Sequence, residues 1–237
     1  MSTTLRGVAL VLEGPMQAWG GAVIGDNRPT LPFPTRSGVL GLLAACLGIR
    51  RVEHARLFRL AEGARVHLRV DSPGTPMVDD QTIQGHPMAS NLRQTIQSKR
   101  TFLCDASFVA VVVPGPHVTT GELAAALVAP VFAPFLGRRC CVPSRPLLLK
   151  AAVEASEILE LFDAVPSDPP VPQQGDTDFY LDVDDHPRRL RRLRVRDDLA
   201  GPLPRSWRER VLVHVQQPAS RTSAQTTATD TIDDWMP

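Results

Sequence analysis

Residues 5–20 read "LRGVALVLEGPMQAWG", an apolar run that opens into a segment carrying Gly14, Pro15, Gln17 and Trp19. The run at 5–12 has the continuous apolar character of a buried strand, and the glycines and proline behind it predict a turn. The segments beyond residue 20 set the architecture. Residues 37–49, "SGVLGLLAACLGI", are a predicted helix with Ser37 as cap and Gly48 near its end, and a shorter helix is predicted over 53–61. Residues 64–70, "ARVHLRV", alternate with period two, and 106–113, "ASFVAVVV", are strongly β-branched, so both are predicted strands. "TTGELAAALV" at 119–128 is a predicted capped helix, and a further strand is predicted over 147–153. The result is an α+β chain whose first 155 residues run β-α-β-β-α-β, the ferredoxin-like pattern that RNA-recognition domains share.

Between the second and third strands lies a long connection, residues 72–104. A connection of this length inside a compact domain is uncommon unless it has a function or lacks order. Its "TIQ" occurs at 82–84 and again at 95–97, with Gly85, Pro87 and Asn91 between, a pattern that predicts two arms around a turn and therefore a protruding hairpin. Beyond residue 155 come a short predicted helix near 156–162, a Pro-rich acidic loop at 163–178, and strand-like segments at 179–183, 189–195 and 208–215, expected to form a small second sheet. The expected organisation is a palm at 1–155 with its hairpin at 72–104, a small β-rich subdomain at 156–215, and a tail at 216–237 with the polar composition of disorder.

The charge is distributed unevenly. Residues 1–150 carry 16 Lys plus Arg against 9 Asp plus Glu, net +7, and residues 151–237 carry 10 against 16, net −6. Arg outnumbers Lys 24 to 2. A GC-rich genome produces that bias without selection, and guanidinium forks also suit phosphates and base edges. The sequence has no GxSxG, P-loop or GxGxxG motif. The six histidines are scattered singly, the four cysteines lack zinc spacing, and the acidic run at 182–185 lacks the Gly and distal Glu of a calcium loop. No catalytic residues, metal or cofactor are expected, and the thiols are expected to be buried. The longest apolar run, 39–49, is too short to cross a bilayer, and the start lacks the features of a signal peptide, so a soluble cytoplasmic protein without membrane contact is expected.

Basic groups in turns are the stronger signal. "FPTRSG" at 33–38 puts Arg36, Ser37 and the Gly38 amide at a helix N-terminus, where unpaired N–H groups and positive partial charge suit a phosphate. Capping by Thr35 or Ser37 explains the same residues without a ligand. "FLGRR" at 135–139 places Arg138 and Arg139 directly after a glycine. Gln17 offers an amide for a base edge and Trp19 a face for stacking, unless Trp19 is buried against the sheet.

Four segments, "GPMQAWG" at 14–20, "FPTRSG" at 33–38 followed by "LGLLAACLGI", "FLCDASF" at 102–108 and "PFLGRR" at 134–139, together resemble the Cas-five family of the RAMP class, in its type I-E CRISPR branch. The likeness spans residues 5 to about 150 and is loose beyond. It implies a non-catalytic RNA-binding subunit of the Cascade surveillance complex, with a ferredoxin-like palm and a hairpin thumb. Such a subunit holds the 5′ handle of the CRISPR RNA, caps the row of CasC backbone subunits, helps to seat the large subunit CasA, and meets target DNA only through the complex. The RNA contacts so implied are Gln17, Trp19, Arg28, Thr35, Arg36, Ser37, Arg138 and Arg139 in a loop-built cleft, and Gln81, Arg93, Lys99 and Arg100 on the thumb. The third strand lacks the aromatic RNP pattern, so recognition is expected from loops and phosphate-directed arginines rather than from stacking on an open sheet. Some relatives instead cut repeat RNA without metal, using Tyr, Lys and His; Tyr180, Lys99 and Lys150 are the only such Tyr and Lys residues, neither lysine adjoins a His, and cleavage is not expected. The negative C-terminal half suggests a third possibility, a protein-binding adaptor.

Overall fold

The computed structural model describes residues 4–21, 23, 25–84, 95–166, 176–182, 191–199 and 207–218. In chain order the elements are β1 (Leu5–Gln17), α1 (Arg36–Cys46), α2 (His54–Ala61), β2 (Arg65–Ser72), β3 (Thr75–Gln84), β4 (Thr95–Val113), α3 (Thr120–Val128), β5 (Leu148–Ala155), a 3-10 turn (Leu159–Phe162), β6 (Asp176–Asp182), β7 (Arg191–Leu199) and β8 (Trp207–Pro218). Among the described residues the strands make one antiparallel sheet in the order β5-β1-β4-β2-β6-β8-β7, with β3 paired to the first half of β4.

Three expectations change here. The turn predicted after residue 12 is strand: β1 continues through Gly14 and Pro15, pairing Met16 with Cys104 and Gln17 with Leu103. Pro15 is tolerated because β5 flanks β1 only as far as Leu10, so among the described residues this end of the strand has no strand neighbour on that side. The first helix is capped by Thr35, whose side chain accepts from the Gly38 amide at 3.2 Å, and not by Ser37. The three C-terminal strands do not make a second sheet. Leu68 and Arg69 of β2 pair with Tyr180 and Phe179 of β6, because β2 would otherwise leave an open edge that an available strand can extend.

The long connection forms a two-stranded arm, with Thr75 opposite Cys104 and Gln84 opposite Thr95. Residues 85–94, with Arg93, lie outside the described residues, as do 167–175 of the acidic loop, 183–190, 200–206 and 219–237. The α3 capping box is complete, since the Thr119 hydroxyl accepts from the Glu122 amide and the Glu122 carboxylate accepts from the Thr119 amide.

Period-two alternation gives the sheet two apolar faces. Val8, Leu10 and Leu12 of β1 and Phe108, Ala110 and Val112 of β4 pack beneath α1, α2 and α3. Ala9, Val109 and Val111 face the other way, in one cluster with the 3-10 turn and with Phe179, Leu181 and Val213 of β6 and β8. On that second face Arg69 is fully buried. It forms a two-point pair with Asp71 and donates to the carbonyls of Val165 and Pro166, so each guanidinium direction is satisfied as a buried charge requires. His67, two residues before it on β2, is held neutral: burial pushes its pKa down to about 3, and its Nδ1 accepts from the Asp182 amide at 3.2 Å.

Candidate nucleic-acid interface

The motif segments are contiguous in space, and their contacts explain their composition. Trp19 is buried, and its indole face lies against Gly38 at the start of α1. A Cβ there would stand 2.9 Å from the ring, which is closer than packing allows. The loop after α3 closes on the end of β1: Ala18 donates to the Leu136 carbonyl at 3.1 Å, and a Cβ on Gly137 (φ +88°) would overlap the Ala18 carbonyl. "GPMQAWG", "TRSG" and "FLGRR" are therefore three pieces of one packed corner.

Two pairs of expected contacts are corrected by this packing. Gln17 is fully buried; its amide nitrogen donates to the Leu12 and Ala106 carbonyls at 3.0 and 2.7 Å, and its oxygen accepts from the Trp19 indole N–H at 2.9 Å. Amide and indole satisfy each other inside the protein, so neither faces a ligand. Thr35 and Arg36 are corrected for a related reason. Thr35 is buried as the cap, and the anion expected at the helix N-terminus is supplied from within, because the Arg36 amide donates to the Asp197 carboxylate at 2.7 Å. The Arg36 guanidinium pairs with Asp198 at 2.6 Å, lies 3.7 Å from Asp182, and donates to the carbonyls of Ala61 and Ala64. Arg210 completes the cluster by pairing with Asp197 at 2.6 Å and Asp182 at 3.3 Å. Burial raises the Asp182 pKa despite these neighbouring guanidiniums.

The remaining residues surround two openings. A groove of about 1480 Å³ runs over α1, lined by Ser37, Arg100, Arg138 and Arg139, with Arg50 and Arg51 along its rim. Arg138 is fixed: it donates to the carbonyls of Thr101 at 3.0 Å and Arg28 at 2.6 Å, and lies 4.6 Å from the Phe102 ring centroid. Burial lowers its pKa from the ordinary value. Arg139 is exposed, and the Arg100 Nε is buried without a hydrogen-bond partner among the described residues. A buried guanidinium N–H left unpaired among the described residues carries a desolvation cost. The second opening, about 480 Å³ on the outer half of the arm, is lined by Asn27, Gln81, Thr82 and Lys99. Gln81 donates to Asp79 at 2.6 Å, and the exposed Lys99 stands 3.9 Å from an equally exposed Asp80. Arg28 is also exposed and forms a parallel backbone bridge with Arg100.

The sequence reading missed the apolar part of the groove. Val131, Phe132, Val142 and Trp207 line it and remain well exposed. The signal was "APVFAPF" at 129–135, an apolar stretch whose prolines prevent a helix and whose exposure is an anomaly that marks contact surfaces. Of the cysteines, Cys46 and Cys141 are buried and raised to about 11 by burial, Cys104 is half-buried and Cys140 is exposed. Among the described residues, no helix is long and apolar enough to cross a membrane.

Comparison with known proteins places this architecture. A family model described as "CRISPR-associated protein (Cas_Cas5)" matches residues 7–218. The chain is 41% identical over 153 residues to the CRISPR system Cascade subunit CasD of Escherichia coli (strain K12), covering 59% of this chain and 68% of that protein. Two solved structures are each 31% identical to it: a chain of a CRISPR RNA-guided surveillance complex, at a TM-score of 0.70 with 89% of each chain covered, and a crystal structure of a Cas protein, at a TM-score of 0.62 with 92% of this chain and 97% of that chain covered. The chain belongs to the Cas5 family.

Proposed function

We propose, with membership of the Cas5 family as premise, that the chain is a non-catalytic RNA-binding subunit of a type I-E Cascade complex and grips the 5′ handle of the CRISPR RNA in the groove over α1. The carrying observation is the groove wall itself. Arg100, whose Nε has no partner among the described residues, and the exposed Arg139 line it together with an Arg138 that is locked in place. Preorganised guanidiniums around a partly apolar floor suit phosphates at the rim and unstacked bases below. The strand order β5-β1-β4-β2, with the β3–β4 arm beside it, supports reading residues 1–155 as a ferredoxin-like palm with a thumb and 156–215 as an appended β-rich part. Lys99 and Gln81 on the arm's outer half are its RNA contacts in this reading. The exposed apolar edge at Val131, Phe132 and Trp207 fits neighbouring subunits, CasC and CasA, and target DNA is reached only through them. The setting is the cytoplasm.

The test is incubation of purified protein with labelled repeat RNA in EDTA, alone and with the other complex subunits. Handle-dependent protection without cleavage products, weakened by joint Arg100→Ala and Arg139→Ala, is expected. Products ending in 2′,3′-cyclic phosphate from the protein alone would overturn the reading. One observation favours that second possibility, a metal-independent endoribonuclease: Tyr180 stacks on His214 at 5.1 Å, and His214 is 2.7 Å from Asp178.

A further inference from the structure

Strand β7 is an edge of the sheet, paired only to β8 among the described residues, and its sequence is "RRLRVRDDL". Leu193 and Val195 turn toward the helical face with Leu212. The alternate residues Arg192, Arg194 and Arg196 point the opposite way and are all exposed. Cross-strand register puts them beside Val213, Val211 and Glu209, so Glu209 is the one charge that β8 sets directly opposite this row. Arg196 donates through its Nε to the Trp207 carbonyl at 3.1 Å, a contact that orients the guanidinium without neutralising it. Nearby Arg208 is already paired with Asp198 at 3.1 Å. Residues two apart on a strand stand about 6.6–6.8 Å apart, comparable to the separation of successive phosphates along one nucleic-acid strand.

We propose that this face of β7 is a second nucleic-acid contact, in which Arg192, Arg194 and Arg196 hold successive phosphates of a single strand running along the sheet edge. The row is one-dimensional, which fits one strand and not the paired backbones of a duplex. It is built wholly from arginine, whose planar fork takes a phosphate at two points. Among the described residues its exposed side chains are all arginines, with Trp207 beside its Arg196 end as the one exposed aromatic. Charge at an edge strand also prevents edge-to-edge pairing, but one or two charges suffice for that. At its C-terminal end β7 turns Asp197 and Leu199 to the groove over α1, on the face opposite the arginine row. The inference does not depend on the groove holding RNA. The shared ligand chemistry is the phosphodiester backbone, and the source is RNA or DNA.

The experiment measures binding of the full-length chain to fluorescent oligo(rU) and oligo(dT) by anisotropy, across about 50–200 mM salt. Joint Arg192→Gln, Arg194→Gln and Arg196→Gln should reduce the slope of log K against log salt by about 2, at roughly 0.7 per phosphate. The triple Arg→Lys variant should keep the slope and bind more weakly. A loss confined to oligo(rU) assigns the ladder to RNA, one confined to oligo(dT) assigns it to DNA, and loss on both assigns it to either backbone. Arg194→Gln alone, a single exposed change, should lower the slope by about 0.7 and guards against misfolding of the triple variant. The groove variant, Arg100→Ala with Arg139→Ala, should retain the ladder's share of the slope, so failure of the groove reading and of this one are separable. Unchanged slope and affinity on both oligomers would overturn the proposal. So would self-association of the Gln variants, or loss of an acidic protein partner, with nucleic-acid binding intact.

Discussion

Arg36 and Arg139 each stand two residues from a glycine, Gly38 and Gly137, in a basic motif segment, yet their surroundings are opposite. Arg36 sits at the start of α1 among Asp182, Asp197 and Asp198, all delivered by β6 and β7. Arg139 stands exposed on the groove wall beside the fixed Arg138. One guanidinium is neutralised by its own chain from more than 140 residues away, and the other is left to solvent. The first is therefore a structural cation and the second a candidate ligand contact, and the difference arises from tertiary pairing alone.

The largest effect expected from this comparison is at Arg36. Arg36→Ala leaves three carboxylates partly buried around Arg210 and the more exposed Arg208, and removing one partner of such a cluster costs about 3–5 kcal/mol. Thermal unfolding followed by circular dichroism should show a severe loss or no folded protein. A variant that melts like the parent and loses only RNA would reverse the assignment of the two arginines.

Acid should attack the same region next. The His67 pKa is depressed to about 3 against an unfolded value of about 6.5. Between those limits the unfolded state binds one proton more, so His67 makes stability fall with pH by about 1.4 kcal/mol per unit below about 6.5. At pH 4 the loss is about 3 kcal/mol. Asp182 works in the other direction. Its raised pKa contributes stability present below its unfolded value, lost as pH rises through its folded one. Chemical denaturation at stepped pH should show the decline, and His67→Gln should flatten it; a decline of equal slope in that variant would place the proton uptake elsewhere.

How far the sequence could have anticipated the contrast depends on the range of the interactions. Helices and core strands were legible because period and capping are local: Thr119 and Glu122 announce their helix within a single turn. The arm was legible from the repeated "TIQ" and the turn residues between. Gln17 and Trp19 were not, since a polar side chain two residues from an indole reads equally well as a ligand pair or as a buried pair satisfying itself. Only the strand continuing through Pro15, and the Leu12 and Ala106 carbonyls it brings near, decide between them. The joining of β6 to β2 and the filling of the α1 N-terminus by Asp197 were hidden for the same reason. Gln17→Leu tests the buried reading. It strands the Trp19 N–H and two carbonyls and should cost about 1–3 kcal/mol, with RNA affinity per folded molecule unchanged. A Gln17→Leu variant as stable as the parent but weaker on RNA would return Gln17 to the interface.

At Arg139 the expected stability change is the smallest, and for that reason it is the most telling. An exposed arginine without a structural role should cost no more than about 0.5 kcal/mol on conversion to alanine, so Arg139→Ala should melt with the parent. Its RNA complex should nonetheless dissociate more readily, with the salt slope lower by about 0.7, the share of one single-strand phosphate. Arg139→Lys separates charge from shape. It should restore the slope, because a point charge still releases a counterion, and recover only part of the affinity, because the two-point contact is gone. Equal slopes in all three proteins would mean that Arg139 touches no phosphate, and the groove's grip would then have to centre on Arg100, whose buried Nε has no other acceptor among the described residues.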